Sequence, residues 1–245
     1  MKKILILSAL LTLTVVTRAN ASLILAGTFN GFNFCATDNN TACGFGTQLL
    51  DTDATSGRLE LANQVVAGIN LVGSAQQATF GPTQNILNTS FLQATNVSGS
   101  TIVGSIAVSA TNFIPPVFSA SLSGSATFQN AVGSSVTSTW YNDPANNQGA
   151  EFPLDRPGNQ LALFSYSVTQ IADAFAFTQN GIPVNDPNLF SMTLANDFTL
   201  VAGGQITNRG MTEIKPIGAV PEPASLVLLG CGLVGLGYLR RRQMK

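Results

Sequence analysis

The central part of the chain, residues 22–219, predicts an all-β fold: an antiparallel β-sandwich, for which a jelly-roll arrangement is one form. The clearest sign is residues 119–128, where serine and threonine alternate strictly with Ala, Leu, Gly and Phe, as in a strand with one buried face. Similar short apolar segments recur, and turn sequences rich in Asn, Asp, Pro and Gly separate them. Charged residues make up only 9% of the chain, and uncharged polar residues fill the strands instead.

Seven further segments have the composition of strands: 102–109, 134–141, 161–168, 174–178, 190–194, 198–201 and 205–214. Among the turn sequences between them, Asn180-Gly181 favours a tight turn and Gly203-Gly204 a loop. Residues 64–72 also fit a short helix, although their β-branched side chains argue against it. A solenoid is the alternative architecture, and no repeat of fixed period supports it.

The first 21 residues have the three parts of a secretory signal peptide. Lysines follow the initial methionine, residues 4–16 are almost wholly apolar, and Ala19-Asn20-Ala21 fits the small-x-small pattern that signal peptidase cleaves. We expect the cut after Ala21, although Arg18 is unusual so close to it. The alternative is an uncleaved membrane anchor, which the short apolar region and the good cleavage pattern disfavour.

The predicted mature domain is acidic and lacks histidine. Residues 22–219 contain eleven acidic and four basic residues, while the other bases lie in the two terminal segments. Such a domain has no positive surface for nucleic acid or anionic lipid. The absence of histidine from the whole chain excludes Ser-His-Asp and Cys-His catalysis and His-ligated metal centres. We therefore expect no nucleic-acid partner, no cofactor and no enzymatic activity.

Two cysteines, Cys35 and Cys43, lie eight residues apart in a polar segment. In an exported chain this spacing predicts a disulfide that closes a loop. Cys231 lies in the C-terminal apolar segment, where we expect a small packing residue.

The alternating oxygen side chains of Asp51, Asp53 and Thr55 suggest a calcium loop. The segment departs from the EF-hand pattern, because Ser56 stands where the turn glycine belongs and Ala62 where the bidentate acid belongs. We therefore favour a polar loop and predict no metal site. Asp186, with Asn185 and Asn188, is a weaker candidate of the same kind.

Carbohydrate contact has one candidate region in the mature domain, residues 140–155. The acids Asp143, Glu151 and Asp155 lie there near Trp140, Tyr141 and Phe152, a composition that suits a sugar-binding surface. Trp140 is the only tryptophan, and packing in the core is the alternative for it.

The last 26 residues combine a Pro-Glu-Pro segment, an apolar segment and a basic end. Pro221 and Pro223 keep the backbone extended, and Glu222 favours water at the membrane boundary. Residues 224–239 predict a single transmembrane helix of ~24 Å, short of a hydrocarbon core of ~30 Å. The arginines at 240–242 place the C-terminus in the cytoplasm by the positive-inside rule. An ordinary single-span anchor is the alternative.

The tail resembles a PEP-CTERM sorting signal in its three parts and in their order: Val220-Pro221-Glu222-Pro223, the glycine-rich apolar segment and Arg240-Arg241-Arg242. The resemblance covers residues 220–245 only. It implies recognition by exosortase, a membrane peptidase of Gram-negative bacteria that make exopolysaccharide.

Together these features divide the chain into a signal peptide (1–21), an exported β-sandwich domain (22–219) and a sorting signal (220–245). The expected function is a structural or adhesive protein of the cell surface or extracellular matrix, associated with exopolysaccharide or biofilm. A carbohydrate-binding module or a glycan-active enzyme of the cell envelope is the alternative. The expected partners are signal peptidase, exosortase and exopolysaccharide. The chain would pass through the inner membrane with its C-terminus in the cytoplasm before it reaches the surface.

Overall fold

The computed structural model describes residues 23–79, 84–115 and 117–215. Within these ranges the chain forms two β-sheets and one short 3-10 helix, Asp38–Asn40, so the predicted all-β sandwich is confirmed. The strands are β1 (Leu23–Phe29), β2 (Phe32–Thr37), β3 (Thr47–Gln48), β4 (Arg58–Val66), β5 (Ile69–Thr79), β6 (Asn85–Asn96), β7 (Ile102–Phe113), β8 (Val117–Gln129), β9 (Ser135–Asp143), β10 (Asn159–Ser167), β11 (Ala172–Asp186), β12 (Phe190–Leu200) and β13 (Gln205–Lys215). No helix of the described ranges is long and apolar enough to cross a membrane.

The last eight strands form a jelly roll. Sheet A has the order β10-β9-β12-β7-β1-β2-β3, and sheet B has the order β11-β8-β13-β6-β5-β4. The antiparallel pairs β9·β10, β8·β11, β7·β12 and β6·β13 are nested one inside the next along the chain, and successive pairs alternate between the sheets. This is the strand order of a jelly roll, which is made of two Greek keys.

The first five strands widen the jelly roll. β1 adds to β7 in sheet A, and β5 adds to β6 in sheet B, each in antiparallel register. The tight turns that form the β1–β2 and β4–β5 hairpins have positive φ angles at Asn30-Gly31 and Ala67-Gly68, as type I′ turns require. Cys35 in β2 forms the predicted disulfide with Cys43 at a Cα–Cα distance of 6.4 Å, inside the usual range.

Trp140 lies at the centre of the core, between the sheets. The side chain has no exposed surface, and the centroids of its ring and the Phe177 ring are 5.3 Å apart. Two paired glycines of sheet B, Gly124 and Gly210, make room for sheet A: a Cβ at Gly124 would lie 3.0 Å from Trp140 Cζ2, and a Cβ at Gly210 would meet Leu194. A side chain at Gly124 would therefore press on the Trp140 ring, and one at Gly210 would require the end of the Leu194 side chain to move.

Several strand predictions need correction. Residues 64–72 contain the end of β4, a turn and the start of β5, so the short-helix interpretation is wrong. The predicted strands 190–194 and 198–201 form one continuous strand, β12. Asn180-Gly181 makes no hairpin turn but lies inside β11, where the register to β8 shifts. Continued back to Phe118, the alternation of residues 119–128 predicts a buried side chain there, but Phe118 is 41% exposed and Val117 is buried instead.

Candidate binding face

The outer face of sheet A is covered by the loop between β9 and β10, residues 144–158, here called the covering loop. Ala26, Ala107 and Ala195 lie side by side across β1, β7 and β12 and form a shallow floor. Ala150 of the covering loop packs on this floor and has no exposed surface. Small side chains are needed here because the backbone of the loop lies directly against the sheet.

Arg156 fastens the end of the covering loop to sheet A. Its guanidinium makes a two-pronged ion pair with Asp197, including an Nη1–Oδ2 distance of 2.8 Å, and Nη2 donates to Ser105 Oγ at 2.9 Å. Burial lowers the pKa of Arg156, but hydrogen bonds and charge from Asp197, with a smaller contribution from Tyr141, outweigh it and raise the pKa above its ordinary value. The arginine therefore stays charged and serves as a structural clamp.

Hydrogen bonds between its backbone and two serine side chains of sheet A hold the middle of the covering loop. The amide of Gly149 donates to Ser109 Oγ at 3.0 Å, and Ser191 Oγ donates to the carbonyl of Asn147 at 2.6 Å. Phe152, at the exposed end of the loop, packs on Phe45 at a centroid distance of 5.7 Å. Phe45 belongs to residues 35–46, here called the disulfide region because they contain the Cys35–Cys43 bond. The disulfide region and the covering loop thus cover the same face together.

The structure separates the residues that sequence reasoning grouped at 140–155. Trp140 is in the core and contacts no solvent, whereas Tyr141 points to the opposite, covered face of sheet A. Asp143 is buried and accepts hydrogen bonds from the amides of Ala145 and Asn147. Phe152, Glu151 and Asp155 lie in the covering loop. The alternative of a core position for Trp140 is thus confirmed, and Trp140 and Asp143 line no sugar-binding surface.

The calcium-like segment is a polar loop whose carboxylates bind protein donors. Asp51 Oδ1 accepts from the amides of Asp53 and Glu60 at 3.0 and 2.9 Å. Asp53 forms an ion pair with Arg58 at 3.2 Å. Asp38 accepts from the amide of Gly57 at 2.7 Å, and burial raises its pKa. These acids fix the loop beside the sandwich edge, and the described residues contain no cluster of three metal-ligating acids, cysteines or histidines.

The second weak calcium candidate, Asp186, joins the two sheets. The side chain is 2% exposed and accepts a hydrogen bond from Asn142 Nδ2 at 2.7 Å. Burial raises the pKa of Asp186; the hydrogen bond from Asn142 opposes this, and the nearby charge of Asp143 adds to it. Asp186 is thus a buried acid at the junction between β9 and β11.

The outer face of sheet B, in contrast, is open, and a shallow groove of about 440 Å³ crosses it. Four strands meet at the groove: β11, β8, β13 and β6. The backbones of Gly124 and Gly210 contribute to its lining, and Trp140 lies on the other side of the sheet beneath Gly124. The polar side chains that line it are Asn88, Ser90, Ser123, Ser125, Thr178 and Arg209.

Arg209 is the one charged residue in the lining of this groove. It lies on β13 at a register shift between Asn208 and Gly210 relative to β6, opposite Ser125 of β8. The side chain is exposed, and the ion pairs of the described residues involve Arg58, Arg156 and Lys215 instead. The nearest acid along its strand, Glu213, is paired with Lys215 at 3.6 Å. Sequence reasoning counted Arg209 among the four bases of the domain but had no signal for its place in a groove.

The remaining predicted site residues lie outside the described residues. They are the cleavage residues Ala19 and Ala21 and the sorting residues Val220, Pro221, Glu222, Pro223, Arg240, Arg241 and Arg242.

Comparison with known proteins places a sorting signal at the C-terminus. The sequence model of the PEP-CTERM protein-sorting motif matches residues 219–242 and confirms the resemblance. The motif implies a protein that is exported and sorted by exosortase to the cell envelope or surface. No curated protein matches the chain significantly.

Solved structures share only a distant likeness with the chain. A carbohydrate-binding module, TmCBM61 in complex with β-1,4-galactotriose, has 7% identity and a TM-score of 0.33, with 58% of this chain and 88% of that chain covered. The K3 cleaved adhesin domain of Lys-gingipain from Porphyromonas gingivalis W83 has 13% identity and a TM-score of 0.29, with 60% and 74% covered. The VP2 subviral particle of infectious bursal disease virus has 13% identity and a TM-score of 0.31, with 81% and 56% covered. Similarity at this level indicates no ligand for this chain.

Proposed function

We propose that the chain is a non-enzymatic structural or adhesive protein of the cell surface or extracellular matrix. The observation that carries the proposal is the PEP-CTERM motif at residues 219–242, directly behind a folded β-sandwich. The motif accounts for delivery, and the sandwich is the part that acts after delivery.

The route follows from the two terminal segments. The signal peptide directs export, and the apolar segment 224–239 halts the chain in the inner membrane with Arg240–Arg242 in the cytoplasm. This topology would present Pro221-Glu222-Pro223 to exosortase at the outer boundary of the membrane. A host of the Gram-negative type, with an exopolysaccharide matrix, is part of this proposal.

The disulfide and the uncharged polar surface of the domain suit a protein that persists outside the cell. Its disulfide is of the kind that forms in oxidising compartments. Its outer surface on sheet B is rich in serine, threonine and amide side chains, which hydrogen-bond to hydrated polymers without needing a charge partner. The adhesive role is assigned to this open face, since the covering loop occupies the corresponding face of sheet A.

Replacing Pro221-Glu222-Pro223 by three alanines in the native host tests the sorting step. We expect the variant to stay in the membrane fraction with Arg240–Arg242 attached, while the wild type appears in the surface or matrix fraction without them. Fractionation followed by intact mass measurement gives both readouts. The matched control replaces Gln243-Met244-Lys245, outside the matched residues, by alanines and is expected to behave as wild type. Normal release of the Pro-Glu-Pro variant would contradict the proposal.

A second candidate function, a carbohydrate-binding module, is favoured by one observation: the groove on the open face of sheet B. The two candidates differ in whether a defined oligosaccharide binds at one place. A structural protein without a binding site would bind every polysaccharide weakly, and substitutions in the groove would not change its binding.

A further inference from the structure

We propose that the groove on sheet B binds an acidic polysaccharide chain, with Arg209 pairing with a carboxylate or sulfate group of the sugar. This inference rests on the proposed export of the domain and deepens the second candidate function, a carbohydrate-binding module, by naming the class of ligand that the groove on its open face would bind. Four features lead to this proposal. The lining of the groove is polar, it contains a single cation, it offers no aromatic surface for stacking, and the acids nearest to it are paired with other bases.

The lining offers hydroxyl and amide groups from three neighbouring strands. Ser123 of β8 and Asn88 of β6 both pair with Met211 of β13, so the three side chains lie in one row across the sheet. Ser125 and Arg209 form the next row. Because adjacent strands lie ~4.8 Å apart, such rows place donors and acceptors at regular intervals along a flat path. A polymer that carries hydroxyl groups along its length matches this pattern.

Arg209 supplies the one charge-assisted interaction of the groove. A guanidinium presents its donors in a planar fork that fits carboxylate and sulfate groups, and it is exposed here without an acid partner among the described residues. The arginine that lies over sheet A, Arg156 of the covering loop, is already paired with Asp197. Of the three arginines in the described residues, Arg209 alone makes no ion pair with an acid of the protein.

The groove lacks the flat aromatic surface on which an uncharged sugar would stack. Phe177 belongs to the lining, but it pairs with Gly124 on the inner side of the sheet. Its ring packs on Trp140 and Phe164 at centroid distances of 5.3 and 5.0 Å. The strongest interaction that remains is the pairing of Arg209 with an anion, which favours an acidic over a neutral sugar.

The acidity of the domain as a whole does not cancel this site. On the same face, Glu213 is paired with Lys215, and Asp53 beside the outer edge is paired with Arg58. Glu60 makes no ion pair, but it lies on β4, three strands away from β13, which is about 14 Å at ~4.8 Å per strand. The local charge at the groove is therefore set by Arg209, since interactions between more distant exposed charges are largely screened at physiological salt.

The test uses the exported protein purified from its host and two pairs of probes. One pair is an oligogalacturonate and its methyl ester, which differ only in charge; the other is dextran sulfate and neutral dextran. Binding is measured by calorimetry and by the fluorescence of Trp140, which lies directly beneath the glycine floor of the groove. We expect at least one charged probe to bind, and its neutral counterpart to bind at least tenfold more weakly.

Arg209→Gln is expected to lower the affinity for the charged probe by about tenfold or more, the size expected for one lost hydrogen-bonded charge. The matched control is Arg58→Gln, an exposed arginine on β4 of the same sheet, which should leave binding unchanged. Equal thermal unfolding of Arg209→Gln and wild type would show that the variant is folded. Failure of both charged probes, equal binding of charged and neutral probes, or unchanged binding by Arg209→Gln would overturn the inference. None of these results affects the sorting test, which depends on the tail.

Discussion

The outer faces of the two sheets each carry an arginine, and the protein uses these two arginines in opposite ways. Arg156 lies over sheet A, mostly buried, and is held by Asp197 and Ser105. Arg209 lies on sheet B, exposed, among serine and threonine side chains. The comparison separates a charge that holds the fold together from a charge that is free to bind something else.

The difference between the faces arises from the size of the side chains on them. Alanines at 26, 107 and 195 leave space on sheet A for the backbone of the covering loop, and burial of Ala150 there excludes water. On sheet B the equivalent central rows hold Ser, Thr, Asn, Met and Arg side chains, which stay hydrated. The same jelly roll thus has one structural outer face and one open outer face.

The largest expected effect concerns the loop that helps to cover sheet A. Replacing Cys35 and Cys43 by serine should lower the free energy of unfolding by about 3 kcal/mol, because an open loop gains entropy in the unfolded chain. Urea denaturation of the exported protein measures this, and intact mass with and without reductant verifies the bond. Binding of the charged probe at sheet B should not change. An unchanged unfolding midpoint would show that the disulfide region does not support the covered face.

The second effect compares the two arginines directly. Arg156→Gln should lower the free energy of unfolding by about 2 kcal/mol, below the range for a fully buried pair because Asp197 is partly exposed. Arg209→Gln should change it by less than about 0.5 kcal/mol, as is usual for exposed positions. Denaturation curves of the two variants and wild type under identical conditions give both changes in the free energy of unfolding. Equal destabilisation by both substitutions would break the distinction between the faces.

The smallest expected change in stability comes from Asp186, at the junction between the sheets, and should not affect either outer face. Because burial raises the pKa of Asp186 above 3.8, the folded protein binds a proton more tightly than the unfolded chain. The contribution of Asp186 to stability therefore falls as the pH rises from about 4 through the raised pKa. Asp186→Asn should remove this contribution, so the stability of wild type relative to the variant should decrease over that window. A difference that does not vary with pH, measured by denaturation at several pH values, would contradict this.

Much of the fold could be predicted from the sequence because local alternation reports which side of a strand is buried. Residues 119–128 show it clearly, and their serines do lie on the outer face of β8. The nested pairing of β6 with β13 could not be predicted, since it joins strands more than a hundred residues apart. Asn180-Gly181 shows the limit of local signals: the dipeptide favours a turn, but pairing with β8 keeps it within a strand.

The site was less predictable than the fold. Trp140 and its acidic neighbours suggested a sugar surface by composition, but alternation along β9 sends Trp140 into the core and Tyr141 to the covered face. The groove depends on the register of strands that are distant in sequence, so no single segment reveals it. Sequence alone does not show that Arg209 lacks an acid partner among the described residues while Arg156 is paired with Asp197, and the role of Arg209 depends on this difference.

The most direct test of the difference between the two faces is labelling of arginines with phenylglyoxal in the native exported protein, with each site quantified by peptide mass spectrometry. Arg209 should react readily without ligand and be protected by the charged oligosaccharide, whereas Arg156 should react slowly in both samples. Arg58 serves as the exposed control, because it should react equally in both. Labelling of Arg156 as fast as Arg209, or labelling of Arg209 that the oligosaccharide does not change, would contradict the account.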